Sequence, residues 1–347
     1  MKNSNPYFKI YSNCIPVKGA KRSIICDLQY GRYLFIPNTL YEILLLVNKN
    51  YSINSIKKTF SNTLDVGISS YFNFLVEEEW GFYTSTPNNF PKLDLTWENP
   101  SEITNAIIDC NSKSNLDFRK IFKGLEDLGC ETIQVRLFWK ASSNFIREVC
   151  NIYMQHSFTY LEIITSFDSD IGILEYKELF SKILSLRLLV LYASDKNEII
   201  EVDNTVFNKI VKSTDNISSC LGCGVVSKEY FTSNVQHFTE AQKHNTCLNR
   251  KISIDVNGNI KNCPSMPNDF GNIESNTLAE VLEKRGFKKF WNINKDQISI
   301  CKDCEFRYIC TDCRAYLSDK KDIYSKPLKC DYNPYTAKWD NSMPVNL

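Results

Sequence analysis

The sequence predicts an α/β protein built around a partial (β/α) barrel, with a small domain before it and a cysteine-rich domain after it. Three observations carry this. Between residues 101 and 215, apolar strands alternate with amphipathic helical stretches at a repeat of about 25–30 residues, the period of a βα unit. Ahead of them stands a hairpin pattern followed by short helices. Behind them, nine of the 14 cysteines crowd between Cys220 and Cys330.

Residues 1–88 form the first domain. Phe8–Val17 and Arg22–Pro37 read as strands, the second turning near Gln29-Tyr30-Gly31-Arg32. Thr39-Leu40-Tyr41-Glu42 has the form of a capping box that opens an apolar helix. Ser52 is placed to cap a second helix running to Phe60. A third helix over Val66–Glu79 precedes a strand at Trp80–Thr84. Hairpin, three short helices and a closing strand make a winged-helix-like unit. Pro87, Pro91 and Pro100 mark Thr86–Pro100 as a linker.

Residues 101–215 form the second. The strands are Ile103–Asp109, Thr132–Trp139, Tyr160–Ser166 and Leu186–Ala193, and the helices Leu116–Leu128, Asn144–Met154 and Leu174–Leu184. Strands that are apolar almost throughout belong to a parallel sheet covered by helices. The short repeat favours a partial barrel, though an open doubly wound sheet shares the same alternation.

Residues 216–347 form the third domain, with short elements and many polar turns. The balance of the chain narrows its function. A length of 347 residues holds two or three domains. A net charge of +1 with 23 % charged and 43 % apolar residues argues against a nucleic-acid surface. The longest apolar runs, Ile43–Val47 and Leu188–Tyr192, are far short of a membrane span. The opening MKNSNPYFKIYSNC lacks the apolar core of a signal peptide, so a cytoplasmic location is expected. Thiols stay reduced there, and a disulfide framework is not expected.

No GxGxxG, GxxxxGK[ST] or GxSxG occurs, and the histidines are only His156, His237 and His244. Cys14, Cys26, Cys110, Cys130 and Cys150 are scattered among apolar residues and read as small buried hydrophobes. The remaining cysteines are spaced for metal. Cys247 and Cys263 flank an alternating stretch centred on Asn257-Gly258, a two-residue hairpin signal that draws them together. Cys301-x2-Cys304-x5-Cys310-x2-Cys313 and Cys330 follow. These are seven thiolates, and two four-coordinate sites need eight. Cys223 and His244 are the candidates for the last, and Cys220-x2-Cys223 is itself able to clasp a metal. Four thiolates also suit zinc. Zinc knuckles usually stand about 15–20 residues apart, whereas five residues separate these pairs, so the ligands interleave between two sites.

The strings CLNRKISIDVNGNIKNCPSM and CKDCEFRYICTDCRAY resemble the SPASM domain, the auxiliary-cluster domain of radical-SAM enzymes that modify ribosomal peptides. With VKGAKRSIICDLQ and SKPLKCDYNPYTAKW they resemble, over nearly the whole chain, the maturases of grasp-with-spasm peptide systems. The resemblance implies two [4Fe-4S] clusters, with zinc as the alternative. One would use Cys301, Cys304, Cys310 and Cys330. The other would use Cys247, Cys263 and Cys313 with Cys223 or His244. A gap of two residues before Cys313, where the family has three, sets that ligand apart.

The resemblance also implies a barrel of radical-SAM type and an N-terminal peptide-recognition domain, with Tyr71, Phe72 and Phe74 as groove or core residues. It implies a maturation factor for a ribosomally synthesised, post-translationally modified peptide. The partners would be that precursor peptide and an ATP-grasp ligase that makes side-chain ester or amide links. The radical-SAM triplet Cys-x3-Cys-x2-Cys is missing: after Cys110 the matching positions are Ser114 and Asp117, so no SAM cluster is expected. No catalytic residue emerges, and whether the chain is an enzyme stays open. The alternatives are a redox enzyme acting through its auxiliary clusters and a zinc-stapled adaptor.

Overall fold

The computed structural model describes residues 6–202 and 208–340. The chain opens with β1 (Tyr7–Ile10), which pairs antiparallel with β5 (Gly81–Thr84) at the far end of the first domain. Between them, β2 (Cys14–Val17), β3 (Ser23–Asp27) and β4 (Arg32–Ile36) form an antiparallel meander. The expected strand Phe8–Val17 is thus two strands in different sheets. A turn in which Cys14 N donates to Tyr11 O (2.9 Å) breaks it.

Three helices follow: α1 (Asn38–Val47), α2 (Ile53–Thr59) and α3 (Asp65–Glu77). They bury Ile43, Leu44, Ile56 and Ile68 against Phe8, whose ring stacks on Phe72 at 4.4 Å. Phe72 is therefore core, while Phe74 faces solvent. Ser52 caps α2 by accepting from Ser55 N at 3.1 Å. The expected capping box at Thr39 does not form. Helix α1 starts two residues earlier, with Pro37 in the capping position, and Asn38 turns its side chain away to Ser23 Oγ and to the carbonyls of Gly19 and Ala20. Residues 85–104 run without regular structure apart from one turn at Pro87–Asn89.

The central part alternates as its apolar pattern requires. Strands β6 (Asn105–Cys110), β7 (Thr132–Leu137), β8 (Tyr160–Ser166) and β9 (Leu186–Tyr192) are joined by α4 (Phe118–Asp127), α5 (Ser143–Tyr153) and α6 (Ile173–Lys182). The four strands lie side by side in chain order, all parallel. Right-handed crossovers that always step the same way put every connecting helix on one face. That face holds one continuous core, from Ile108, Val135 and Ile163 to Phe122, Leu125 and Val149.

β10 (Glu198–Glu201) and β11 (Lys209–Lys212) extend one side of the sheet. After α7 (Val235–Ala241), the chain returns to the other side with β12 (Lys251–Ile254) and β13 (Ile260–Lys261). Strand β12 runs parallel to β6, with Lys251 opposite Asn105 and Ile254 opposite Ile108. The result is a mixed α/β chain with one eight-stranded, mostly parallel sheet. The hairpin between the first two motif cysteines is part of that sheet.

The β12–β13 loop is longer than the two-residue turn expected at Asn257-Gly258. Gly258 N donates to Asp255 O (2.9 Å) and Asp255 N to Asn259 O (3.0 Å), with Gly258 at φ +79°. A turn followed by a left-handed glycine is the three-residue hairpin solution. The Asp255 carboxylate secures it by accepting from Asn257 N and Asn259 N.

Helix α8 (Leu278–Leu282) packs on α4, and it does carry a capping box, from Thr277 and Glu280. The chain closes with the short hairpin β14 (Tyr332–Asn333) and β15 (Lys338–Trp339). The β2–β4 meander packs on the cysteine-rich part: Val17, Ile24, Cys26 and Leu28 share one core with Phe306, Ile309, Cys310 and Tyr332.

Candidate metal centres

The cysteine-rich part has almost no helix or strand to hold its thiols, so turns and buried side chains position them. Cys301, Cys304, Cys310 and Cys330 line a single small pocket with Phe306 and Tyr332 that is partly open to solvent. Cys301 begins a one-turn helix closed by Cys304 N donating to Cys301 O at 2.9 Å. Such a turn points both sulfurs the same way. Ile300 (φ +70°, ψ −47°) is the centre of a γ-turn just before it, in which Cys301 N donates to Ser299 O at 2.8 Å.

Lys295 is buried in the wall of this pocket. Its Nζ lies 3.4 Å from Cys310 Sγ and 3.0 Å from Thr311 O. Burial lowers the affinity of the Lys295 amine for its proton, but the charges of Cys310, Asp312, Cys301 and Cys330 more than reverse this. Burial raises the thiols in turn, Cys310 to about 12, against the pull of Lys295.

Cys223, Cys247, Cys263 and Cys313 form the second group. Cys247 and Cys263 flank the β12–β13 hairpin, and Lys251 Nζ lies 3.7 Å from Cys247 Sγ. Burial lowers Lys251, but the charges of Cys247, Cys263 and Cys223 outweigh it and leave it raised. Burial lifts the Cys313 thiol to about 12, and Cys247 and Cys263 add to the rise. Gly224 holds Cys223 here. It has φ +88°, and a Cβ at that position would fall 3.0 Å from Cys313 Sγ and 2.8 Å from the Tyr316 ring.

His244 points elsewhere. Its Nδ1 is 2.9 Å from Asn292 Oδ1, and its ring packs 5.2 Å from the Trp97 ring. Cys220 fixes the turn ahead of Cys223 through its carbonyl, which accepts from Ser265 Oγ (3.1 Å) and Tyr316 Oη (3.3 Å). Among the described residues, no three His, Cys, Asp or Glu side chains converge tightly enough to hold a single metal ion. The first group lines a space instead of meeting at a point.

The two-residue gap between Cys310 and Cys313 holds Asp312, fully buried between the groups. It accepts from Asn245 Nδ2 (2.9 Å) and Arg314 Nε (2.8 Å). Asn245 also accepts from the backbone of Cys247 and Leu248, and Arg314 donates to Ser325 O at 2.7 Å. One carboxylate thus ties the segment before Cys247 to the segment after Cys313.

The second group also meets the sheet. Arg136 on β7 makes a two-pronged, buried ion pair with Asp109 on β6 (2.6 and 2.8 Å). Burial lowers the Arg136 guanidinium, but Asp109, then Cys223 and Cys263, raise it overall. Lys251, Lys295, Arg136 and Asp312 were all missed by sequence reasoning. Arg136 and Asp109 left a signal, as charges inside otherwise apolar strands. Lys295 left none.

At the position of the absent radical-SAM triplet, each residue has a structural task. Cys110 is buried at the end of β6 with its thiol pushed up to about 12 by burial. Ser114 Oγ donates to Val256 O at 2.7 Å. Asp117 caps α4 by accepting from Arg119 N and Lys120 N.

The SPASM family model, described as an iron–sulfur cluster-binding domain, matches residues 246–305. Those residues are a SPASM domain. They include Cys247, Cys263, Cys301 and Cys304, two thiols from each group. The match supports iron–sulfur cluster binding by this part of the chain. No curated protein matches the chain. Among the described residues, no helix is long and apolar enough to cross a membrane.

Proposed function

We propose that the chain is a maturation factor for a ribosomally made peptide, working with an ATP-grasp ligase and carrying two [4Fe-4S] clusters. The observation that carries this reading is the sorting of eight thiols into two groups of four around a SPASM domain. Soft, crowded thiolates with a cation beside each group, buried at Lys295 and half-buried at Lys251, are a donor set suited to iron–sulfur clusters. Cys301, Cys304, Cys310 and Cys330 would hold one cluster, and Cys223, Cys247, Cys263 and Cys313 the other. When bound, the clusters supply a structural staple and a relay for electrons.

In this reading the parallel sheet is the wall of a partial barrel of radical-SAM type. The winged-helix-like first domain recognises the precursor. Strands β2 and β4 each pair on one side only among the described residues, which leaves edges for an extended peptide to join. The ligase forms the side-chain bond, and this chain binds and shapes the peptide. Lacking the radical-SAM triplet, the protein does not cleave SAM.

Anaerobic purification tests the reading. The protein should be brown and hold about eight irons with matching sulfide. Stoichiometric zinc with negligible iron would defeat it. Co-expression of precursor, ligase and this chain should yield a peptide lighter by the water lost per link, and omission of either protein should abolish that mass. A reductant and SAM should give no 5′-deoxyadenosine above a protein-free control.

A further inference from the structure

We propose that Lys295 and Lys251 are dedicated counter-charges, one for each thiol group, that raise the reduction potential of the cluster held there. This rests on the cluster reading above.

Lysine is almost never buried without a partner, because its ammonium loses its water. Lys295 is such an exception, and Lys251 is half-buried beside its own thiols. Lys295 is 5 % exposed and donates to the Cys310 sulfur at 3.4 Å. Lys251, on the first turn-flanking strand of the SPASM domain, donates to the Cys247 sulfur at 3.7 Å. Among the described residues, neither forms an ion pair with a carboxylate. Asp312 is the nearest acidic group to Lys295, and its oxygens are taken by Arg314 and Asn245. The anionic groups in direct contact with these two cations are therefore thiols, with Asp312 adding to the field at Lys295 and Glu240 also facing Lys251. The pairing is also one to one, Lys295 with the group of Cys301, Cys304, Cys310 and Cys330, and Lys251 with the group of Cys223, Cys247 and Cys263.

Four thiolates on an iron–sulfur cube carry net negative charge, and the charge grows by one when an electron enters. A fixed cation and an N–H···S bond favour the more negative form. Lys295 acts in a buried, low-dielectric wall where water screens it little, and Lys251 in a half-buried one where screening is stronger, so the larger shift is expected at the Lys295 side. Removing either should make that cluster harder to reduce and leave the other nearly untouched. The electron comes from the chemical reductant used as titrant, and no proton transfer is required.

The experiment is a potentiometric titration of the full chain, loaded anaerobically and followed by EPR, with iron and sulfide counted for every variant. Lys295→Met and Lys251→Met should each move one of the two signals to more negative potential. Lys295→Arg should restore most of the first shift. Unmoved potentials in Met variants with full iron would overturn the proposal. Where a Met variant does not load, Gln at the same position replaces it under the same criterion. Loss of iron in Met and Gln but not in Arg supports a requirement for charge. Loss in all three, Arg included, overturns the electrostatic role in favour of packing. A wild type without iron fails differently, since it removes the cluster reading itself.

Discussion

Arg22 Nε lies 2.8 Å from Glu305 Oε1 across the seam between the first domain and the cysteine-rich part, and the Glu305 side chain has no solvent exposure. Tyr332 Oη donates to the same oxygen, while Oε2 is buried without a partner. The Arg22 guanidinium also stacks 3.6 Å over the Phe35 ring. Nearby, Ala20 N donates to Asp303 O (2.8 Å) and Arg307 binds the Lys18 carbonyl. The segment between Cys304 and Cys310 is therefore the platform on which the β2–β4 meander sits.

Arg22→Ala should leave the Glu305 carboxylate buried with no cation. Breaking a buried pair costs about 3–5 kcal/mol. Arg22 is partly exposed, so a loss of about 2–3 kcal/mol is expected from denaturant unfolding. Adding Glu305→Gln should recover part of it. A loss in Arg22→Ala below about 0.5 kcal/mol, the range of neutral surface changes, would show that the pair does not hold the seam.

The Arg136–Asp109 pair is more deeply buried, with both side chains under a tenth exposed. Burial raises the Asp109 carboxyl above its ordinary value even beside Arg136. Asp109→Ala should strand the guanidinium between β6, β7 and the second thiol group, costing about 3–5 kcal/mol. Asp109→Asn, which keeps the shape, should cost less. Equal effects of the two would mean that packing and not charge matters at this site.

Most of the sheet was legible in the sequence, for physical reasons that also mark where legibility ends. Strand β8 falls on the expected residues and β7 ends two residues early, because apolar runs bounded by polar turns carry their own limits. Ser52 was legible because a cap is local. Thr39 misled because Pro37 and the contacts of Asn38 set the start of α1 from outside the helix. The pairing of β12 with β6 joins residues well over a hundred positions apart, and no local pattern reports it. Spacing marked the cysteines as metal ligands, and the resemblance to the SPASM domain divided them into two sets. The lysines, Asp312 and the platform under the meander exist only in the folded arrangement.

Stability should depend on pH through Glu240. Burial raises its carboxyl to about 7, against the opposing effects of Asn249, which donates at 2.8 Å, and of Lys251 and Arg250. A carboxyl with a raised folded pKa binds its proton more tightly in the native state. The stability it contributes is full below its unfolded pKa, about 4.5, and is lost as pH rises towards 7. The total is on the order of 3 kcal/mol at 1.4 kcal/mol per unit. Glu240→Gln should flatten the unfolding midpoint between those values and be the more stable protein at pH 8. Parallel pH profiles for the two proteins would exclude this origin.

The last ligand separates Cys223 from His244. Cys223 is followed by a left-handed glycine that seats it against Cys313, and its charge is felt by Lys251, Cys247, Cys263 and Arg136. His244 is bonded to Asn292 and packed on Trp97. Cys223→Ala should therefore weaken one cluster, seen as faster loss of about half the iron to a chelator than in wild type. The Lys295-side cluster should keep its EPR signal. His244→Ala should hold iron like wild type and cost at most about 1 kcal/mol, since it loses one partly exposed hydrogen bond. Cys247→Ala should resemble Cys223→Ala, and Cys301→Ala should strike the other signal. Full iron retention in Cys223→Ala with loss in His244→Ala would assign the eighth position to the histidine, and would require the segment around Cys247 to rearrange when iron binds.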